Sequence, residues 1–220
     1  MAEIQSLIKQ LDDNKPAVRE GATNGLILIG KPAEPYLQET LTAIKGKNAE
    51  VEWRVKLILK ALAIRERAKF SDGLLKEFPN IYRKLARSDA NAKYAIFKDA
   101  AKKRQGEEDS PYEITLDDIA GLIGEVLLDG GAGLTDLQKR TICSFAPPLS
   151  LPHIKKLLKD SDASVRRSAV SALGELGAKD AIPEIKELLK DGDALVRRFA
   201  VLALRTLGVS EEEIEKLGGK

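Results

Sequence analysis

The sequence offers one pairing of a nucleophile with a general base. Cys143 is the only cysteine and His153 the only histidine, so a cysteine–histidine or serine–histidine arrangement would have to use His153. Cys143 lies among apolar residues in the middle of a predicted helix, which is typical of a structural cysteine. His153 follows Pro152 at a predicted helix start, where a surface or capping role is the simpler interpretation. These residues favour a protein without a catalytic nucleophile.

Metal and phosphate chemistry would need residues that the chain does not supply in the right spacing. There is no CxxC motif, and a single histidine cannot supply the His-Glu pairs of a di-iron centre. The loop from Asp129 to Gly133 has the glycines of a phosphate-binding turn. No Lys-Ser or Lys-Thr follows it, so a turn between helices is the simpler interpretation. We therefore expect no metal and no cofactor.

The balance of residue types narrows the class of protein. The 220 residues are 43% hydrophobic and 32% charged, which indicates a folded globular chain. The net charge is +2 on 36 basic and 34 acidic residues, so the chain as a whole does not attract nucleic acid. No apolar run approaches the roughly 18–20 residues that cross a bilayer, and the first residues lack the pattern of a signal peptide. With a single cysteine, we expect a cytoplasmic protein that does not enter a membrane.

Two segments near the C-terminus nearly repeat each other. They are IKKLLKDSDASVRRSAVSALGELG and IKELLKDGDALVRRFAVLALRTLG, in which Val165 and Val196 are equivalent and lie 31 positions apart. A third copy, IKQLDDNKPAVREGATNGLILIG, has Val18 in the same role. Apolar residues at i+4, i+7, i+8 and i+11 from such a valine predict a helix with one buried stripe. We call the position of these valines the marker position.

The middle of the chain can be placed on the same repeat with less regular spacing. Trp53, Ala92 and Leu137 would then occupy the buried marker position. Thr115 and Thr135 each begin a predicted helix, because an acid or amide three residues later gives the spacing of a capping box.

These patterns predict an all-α fold, an α-solenoid (superhelix) of about six antiparallel helix pairs. The whole chain, residues 1–220, would form a single domain. Its clear repeats would cover 1–45 and 151–208, its divergent repeats 46–150, and a short C-terminal capping helix 209–220.

The segments DSDASVRRSAVSALGELG and DGDALVRRFAVLALRTLG resemble HEAT repeats, in particular the short variety found in phycobilisome-lyase-like HEAT proteins. The resemblance implies an aspartate at the end of the first helix and an arginine directly after the marker position, which together form a ladder between neighbouring repeats. The matching residues are Asp13 with Arg19, Asp160 with Arg166, and Asp191 with Arg197. The fourth repeat has Ala132 and Gln138 instead, which predicts an interrupted ladder. The resemblance implies an architecture and does not by itself decide a function.

In stacked helix pairs the second helices line a concave face, which is the usual binding face. Positions two and six after the marker are expected there, and position nine adds Leu62 and Arg205. These positions carry cations in the later repeats and an apolar patch in the second repeat. The predicted partner-binding residues are Val55, Leu59, Leu62, Tyr94, Lys98, Lys139, Arg167, Arg198 and Arg205. Such a face suits an acidic or amphipathic segment of another protein, which predicts a non-catalytic scaffold or adaptor. In the alternative, the cations are ordinary surface and the third repeat covers the apolar helix.

Two other functions use the same residues. The cations could contact phosphates and Tyr94 could stack on a base, as in a nucleic-acid-binding or ribosome-associated protein. Some DNA glycosylases are built on HEAT-like repeats, and Trp53 and Tyr94 are the aromatic residues that such an enzyme would use. Trp53 is expected in the core, and we find no well-placed acid beside either ring, so the glycosylase is the least favoured of the three.

Overall fold

The computed structural model describes residues 1–128 and 130–218. Within these ranges every regular element is a helix and none is a strand. The chain divides into two compact units, Met1–Asp89 and Ala90–Lys220, which we call the N-terminal and C-terminal units. Each unit is built from α-helices that pack on their neighbours in pairs. The predicted all-α fold of helix pairs is confirmed, whereas a single domain over residues 1–220 stays a prediction.

The N-terminal unit contains two helix pairs and two shorter helices. Its helices are α1 (Ala2–Gln10), α2 (Pro16–Ile29), α3 (Glu34–Ile44), α4 (Ala49–Ala68), α5 (Asp72–Glu77) and α6 (Ile81–Arg87). Helix α1 packs against α2, and α3 packs against α4. Both α2 and α6 also pack on α4, so α4 is covered on several sides.

The C-terminal unit continues the same arrangement of paired helices. Its helices are α7 (Ala90–Gln105), α8 (Leu116–Val126), α9 (Asp136–Ser144), α10 (Leu151–Lys156), α11 (Ala163–Glu175), α12 (Ile182–Glu187), α13 (Ala194–Thr206) and α14 (Glu211–Lys216). Helices α7 and α8, α10 and α11, and α12 and α13 pack as pairs. The second helices form a row of neighbours, because α11 packs against both α9 and α13.

The clear repeats bury the residues that the pattern indicates. Val165 and Val196 are fully buried, and Val18 is half-buried. Gly177 and Gly208 follow α11 and α13 with φ of 69° and 88°, which is the left-handed conformation that ends a helix and favours glycine.

Side-chain caps fix where several of the second helices begin. Asp162 accepts a hydrogen bond from the backbone N–H of Val165 at 2.9 Å, and Asp193 does the same for Val196 at 3.0 Å. Thr115 and Thr135 form the two predicted capping boxes at the starts of α8 and α9. Each cap satisfies N–H groups that have no partner inside the helix, so it sets the rotation of the following residues. The marker position is thus the third residue after the cap.

This rule corrects the marker assignments in α4 and α9. The amide of Asn48 accepts from the N–H of Val51, so the marker in α4 is the buried Val51 and not Trp53, which is 43% exposed. In α9 the N–H bonded to Thr135 belongs to Gln138, and Leu137 is 69% exposed. Both predictions are wrong, because the capping hydrogen bond, and not the size of a nearby apolar side chain, sets the rotation of the helix.

The marker assigned to α7 is wrong as well. Ala92 is exposed, while Phe97, Ala100 and Ala101 are buried. Phe97 has a much larger apolar side chain than Ala92, and its burial decides which stripe of α7 faces inward.

A cation at the fourth position after the cap holds the turn between the two helices of a repeat. Arg19, Arg166 and Arg197 each donate from Nη1 to two backbone carbonyl oxygens of the preceding turn. The shorter of the two bonds is 2.7 Å to Asp13, 2.9 Å to Asp160 and 2.7 Å to Asp191, respectively. These carbonyl groups end the first helix and have no helical partner, so the guanidinium takes the place of the missing N–H groups.

The same cations connect neighbouring repeats in the C-terminal unit. Nε and Nη2 of Arg166 donate to the two carboxylate oxygens of Asp191, each at 2.8 Å. One repeat earlier, Nζ of Lys139 lies 2.7 Å from the carboxylate of Asp160. Lys139 occupies the fourth position after Thr135, so the predicted interruption in the fourth repeat is wrong. A lysine continues the series where arginine was expected.

We predict that Asp191→Asn lowers the free energy of unfolding by about 1–3 kcal/mol, because a neutral amide replaces a buried acceptor of two charged hydrogen bonds. These bonds hold the pKa of Asp191 below its ordinary value. The stabilisation is therefore present above the unfolded pKa and lost as pH falls through the folded pKa. Urea unfolding at several pH values should show the variant and wild type converging below about pH 4.

Asp180→Asn is the matched control, because the Asp180 side chain is 69% exposed and pairs with Lys155 at 3.5 Å. Its effect at neutral pH should be close to zero. Equal losses for the two variants, or parallel pH curves for Asp191→Asn and wild type, would contradict the role of Asp191.

Candidate functional site

The corrected register places one arginine at the same position on three neighbouring helices. The fifth residue after the cap is Arg140 in α9, Arg167 in α11 and Arg198 in α13. Arg167 and Arg198 were predicted from the sequence, whereas Lys139 was named in place of Arg140. The capping box at Thr135 was the signal that could have found Arg140.

These three arginines carry charge that no described residue neutralises. None of them forms a hydrogen bond or an ion pair with residues 1–128 or 130–218. Arg140 and Arg198 are exposed, and the guanidinium of Arg167 lies 5.7 Å from the ring centroid of Phe199. An aromatic ring orients a guanidinium without using its N–H donors. The row therefore presents unused donors to an anion.

A groove of about 310 Å³ lies between α9 and α11, and Arg140 is the member of this row that lines it. Arg140, Ser144, Ser168 and Ser171 supply its polar lining. Its one carboxylate is that of Glu175, which accepts a hydrogen bond from the Ser171 hydroxyl at 2.7 Å. The Ser144 hydroxyl likewise donates to the backbone oxygen of Thr141 at 2.8 Å. The polar lining thus offers a ligand the guanidinium of Arg140 and the hydroxyl of Ser168, neither of which has a partner among the described residues.

The groove continues into a second cleft of about 300 Å³ that shares Ser144, Ala146 and Leu176 with the first. Most of the additional lining is apolar, from Leu116, Ile119, Phe145, Pro147 and Pro148. Leu116 is exposed, and Arg104 at the rim makes no hydrogen bond with the described residues. We call the two clefts together the C-terminal groove, which has one polar and one apolar half.

The apolar patch predicted on the second repeat is not available to a partner. Val55 and Leu62 are buried inside the N-terminal unit, and Leu59 is half-buried. Helix α6 packs on α4 and buries Ile81 and Leu85, as the alternative interpretation of this helix proposed. The prediction for Val55 and Leu62 is therefore corrected, since a helix that is apolar all round is covered by its neighbours.

The remaining predicted residues lie in different surroundings. Lys98 is exposed and has no partner among the described residues, whereas Tyr94 is half-buried with its ring 5.8 Å from that of Phe97. The side chain of Lys139 is 13% exposed and belongs to the ladder, so it is removed from the partner-binding set. Arg205 pairs with Glu211 at 2.6 Å, although both side chains are exposed.

Cys143 and His153 do not form a catalytic pair. Cys143 lines the groove between α9 and α11, and burial raises the pKa of its thiol to about 12. The His153 ring instead lies against α8, where its Nε2 would come within 2.9 Å of a Cβ on Gly124. Burial, helped by the charge of Lys156, lowers the pKa of His153. The prediction that His153 is a surface or capping residue is wrong, because the ring is half-buried against a glycine.

The described residues contain neither a cluster suited to a metal ion nor a helix suited to a membrane. No group of three or more histidine, cysteine, aspartate or glutamate side chains is placed to hold a metal ion there. None of the helices there is long and apolar enough to span a bilayer. Asp129 lies outside the described residues, and the following Gly130, Gly131 and Gly133 have positive φ, as expected for a turn.

Comparison with known proteins supports the repeat assignment. Residues 151–218, which span α10 to α14, match the family model described as HEAT repeats. No curated protein matches the chain significantly. Every regular element of the described residues is a helix, and the C-terminal third of the chain is similar to HEAT repeats. HEAT repeats commonly mediate protein interactions and are typically non-catalytic; the phycobilisome-lyase-like subtype stays a prediction.

We predict that Cys143 of the folded protein reacts with Ellman's reagent at pH 8 at least about a hundredfold more slowly than in concentrated urea. Burial raises the pKa of the thiol to about 12, so almost no thiolate is present. Absorbance at the thionitrobenzoate band measures both rates, and glutathione gives the reference for a free thiol. Equal rates in buffer and urea would contradict the burial of the Cys143 thiol in the folded protein.

Proposed function

We propose that this protein is a non-catalytic scaffold or adaptor, and that its C-terminal groove binds an acidic amphipathic segment of another protein. The observation that carries the proposal is a row of arginines, Arg140, Arg167 and Arg198, that have no partner among the described residues. The first of them, Arg140, lines a groove with one polar and one apolar half. An amphipathic segment could place apolar side chains on Phe145 and Leu116 and carboxylates towards the arginines.

Both halves of the groove are needed for this choice of partner. The row alone would bind any anion, with the weak and salt-dependent affinity of exposed charges. Apolar lining removes water from side chains that pack on it, and this contribution depends little on salt. An acidic segment with an apolar side uses both contributions, whereas a uniformly polar anion uses only one.

Nucleic acid is the second candidate for the same arginines, because a phosphate is as good an acceptor as a carboxylate. Single-stranded nucleic acid also needs exposed aromatic rings for stacking. Tyr94 is half-buried against Phe97, and Phe145 lies edge-on to Phe97 at 6.1 Å between centroids. These three rings contact one another, and the exposed Tyr112 does not line the groove, which favours the protein segment.

We predict that reversing the row, as Arg140→Glu, Arg167→Glu and Arg198→Glu together, weakens binding of an acidic amphipathic peptide by about tenfold or more. The probe is a fluorescein-labelled helical peptide with leucines on one side and glutamates on the other, followed by anisotropy. A peptide of the same composition in scrambled order tests the apolar half. Glu175→Lys should strengthen binding, because it removes the one carboxylate of the lining.

The matched control reverses Lys159, Lys179 and Lys190, which are exposed and lie outside the second helices. This control changes the net charge by the same amount and should leave the affinity nearly unchanged. If the control weakens binding as much as the row does, only global charge matters and the groove is not the site. If a single-stranded oligonucleotide binds more tightly than the peptide, and weakens steeply between about 50 and 200 mM salt, the nucleic-acid alternative replaces the proposal.

Cytoplasmic location belongs to the same proposal. The single thiol is buried and needs no disulfide partner, which suits a reducing compartment. Fractionation of the cells that make the protein tests the location, with recovery in a secreted or periplasmic fraction as the contrary result.

A further inference from the structure

The N-terminal unit contains a cleft lined by cationic side chains and an indole ring. It has a volume of about 300 Å³ and is lined by Trp53, Lys56, Leu57, Lys60, Ala86 and Arg87, from α4 and α6. No carboxylate contributes to this lining. Trp53 is the only tryptophan of the chain, and its 43% exposure is unusual for so large an apolar ring in a packed helix. We call this the Trp53 cleft.

The indole is held in place from one side by a buried arginine. The Arg54 guanidinium lies 5.6 Å from the centroid of the Trp53 ring. Arg54 is bonded to Glu50 at 2.7 Å, to Glu20 at 3.2 Å and to the Thr23 hydroxyl at 3.3 Å. Burial would raise the pKa of Glu20, but hydrogen bonds and charge from Arg54 and Arg83 keep it below its ordinary value. Glu20 therefore stays ionised and keeps Arg54 fixed.

A second arginine at the ring has no such partners. The Arg87 guanidinium lies 5.3 Å from the Trp53 centroid, yet it makes no hydrogen bond or ion pair with the described residues. Lys60 is likewise exposed and unpaired there, whereas Lys56 is bonded to Glu52 at 2.5 Å. Two like charges border one cleft without a compensating acid, so an anion placed between them would be stabilised by both.

The spacing of these residues suits a ligand with a flat ring joined to an anion. Trp53, Lys56, Leu57 and Lys60 follow the i, i+3, i+4, i+7 pattern, so they share one side of α4. Trp53 and Lys60 are separated by about 10 Å along the helix axis. An exposed indole can stack on a nucleobase, while Arg87 and Lys60 reach the phosphate that is attached to it.

We propose that the Trp53 cleft binds a nucleotide, with the base stacked on the indole and the phosphate held by Arg87 and Lys60. The shared chemistry is that of a base joined to a phosphate, either as a free nucleotide or as one residue of a single strand. This site is independent of the C-terminal groove and uses none of its residues. It involves binding alone, since the two carboxylates nearest in sequence, Glu50 and Glu52, are engaged by Arg54 and Lys56.

Fluorescence of the single tryptophan reports directly on this cleft. We expect AMP, ATP or an eight-nucleotide oligothymidylate to quench it saturably, with affinity falling as salt rises from about 50 to 200 mM. Quenching by the mononucleotides identifies a free nucleotide as the ligand, and quenching by the oligonucleotide alone identifies a strand. Adenosine, which has the base without the phosphate, should bind more weakly than AMP.

Three variants of the 220-residue chain test the residues with a labelled oligonucleotide or labelled ATP in anisotropy. Arg87→Ala with Lys60→Ala should weaken binding about tenfold, because two phosphate contacts are lost. Trp53→Ala should weaken it at least about fivefold, and Trp53→Phe, which keeps a smaller ring, should weaken it less. The matched control, Lys31→Ala with Lys47→Ala, removes two exposed unpaired lysines of the same unit outside the cleft. Circular dichroism should show native helicity for every variant.

Three results would overturn the proposal. The first is no saturable quenching by AMP, ATP or the oligonucleotide. The second is that pyrophosphate or a phosphotyrosine peptide binds as tightly as the nucleotides. Equal binding would show that the cleft does not recognise a nucleobase. The third is that Arg87→Ala with Lys60→Ala behaves like its lysine control. Reversal of the arginine row in the C-terminal unit should leave the quenching unchanged, so this result is separable from that of the proposed function.

Discussion

The guanidinium that bridges the turn between paired helices is the interaction on which each clear repeat depends. The C-terminal end of the first helix leaves partly buried carbonyl groups without a helical partner. Leaving these carbonyl groups without hydrogen bonds would lower the stability of the fold. Arg166 donates from Nη1 to two of them, and it donates from Nε and Nη2 to the carboxylate of Asp191 in the next repeat. A single side chain therefore closes one repeat and fixes its spacing to the next.

That constraint also determines which residues remain available for binding. The cap sets the third residue inward and the fourth residue against the turn, and each further residue rotates by about 100°. The fifth residue consequently turns away from both the core and the turn. In α9, α11 and α13 this position holds Arg140, Arg167 and Arg198, and in α4 it holds Trp53. The repeat does not specify the type of residue there, so different ligands can be served by the same architecture.

Sequence periodicity was sufficient where capping and hydrophobic signals agree. In the repeats of Val165 and Val196 an aspartate cap precedes an aliphatic stripe, and the predicted helices, ends and buried residues are found. In α4 and α9 the two signals conflict, because Trp53 and Leu137 are large apolar residues placed close to the marker position. The caps at Asn48 and Thr135 settle the register through hydrogen bonds, which a search for apolar residues does not weigh. An error of one residue in α9 was enough to exchange Lys139 for Arg140.

The candidate sites were harder to predict than the fold for a related reason. Whether a cation is free depends on acids that are distant in sequence, as Lys139 and Asp160 show. Likewise, an apolar helix side is covered or open according to helices whose packing has no local signature, and α6 covers Val55 and Leu62. Arg87, beside Trp53, has no hydrogen-bond or ion-pair partner among the described residues, whereas Arg54 and Lys56 of α4 are paired with Glu50 and Glu52. The side chains available to a ligand are thus those whose charges are not paired in the turns or in the contacts between helices.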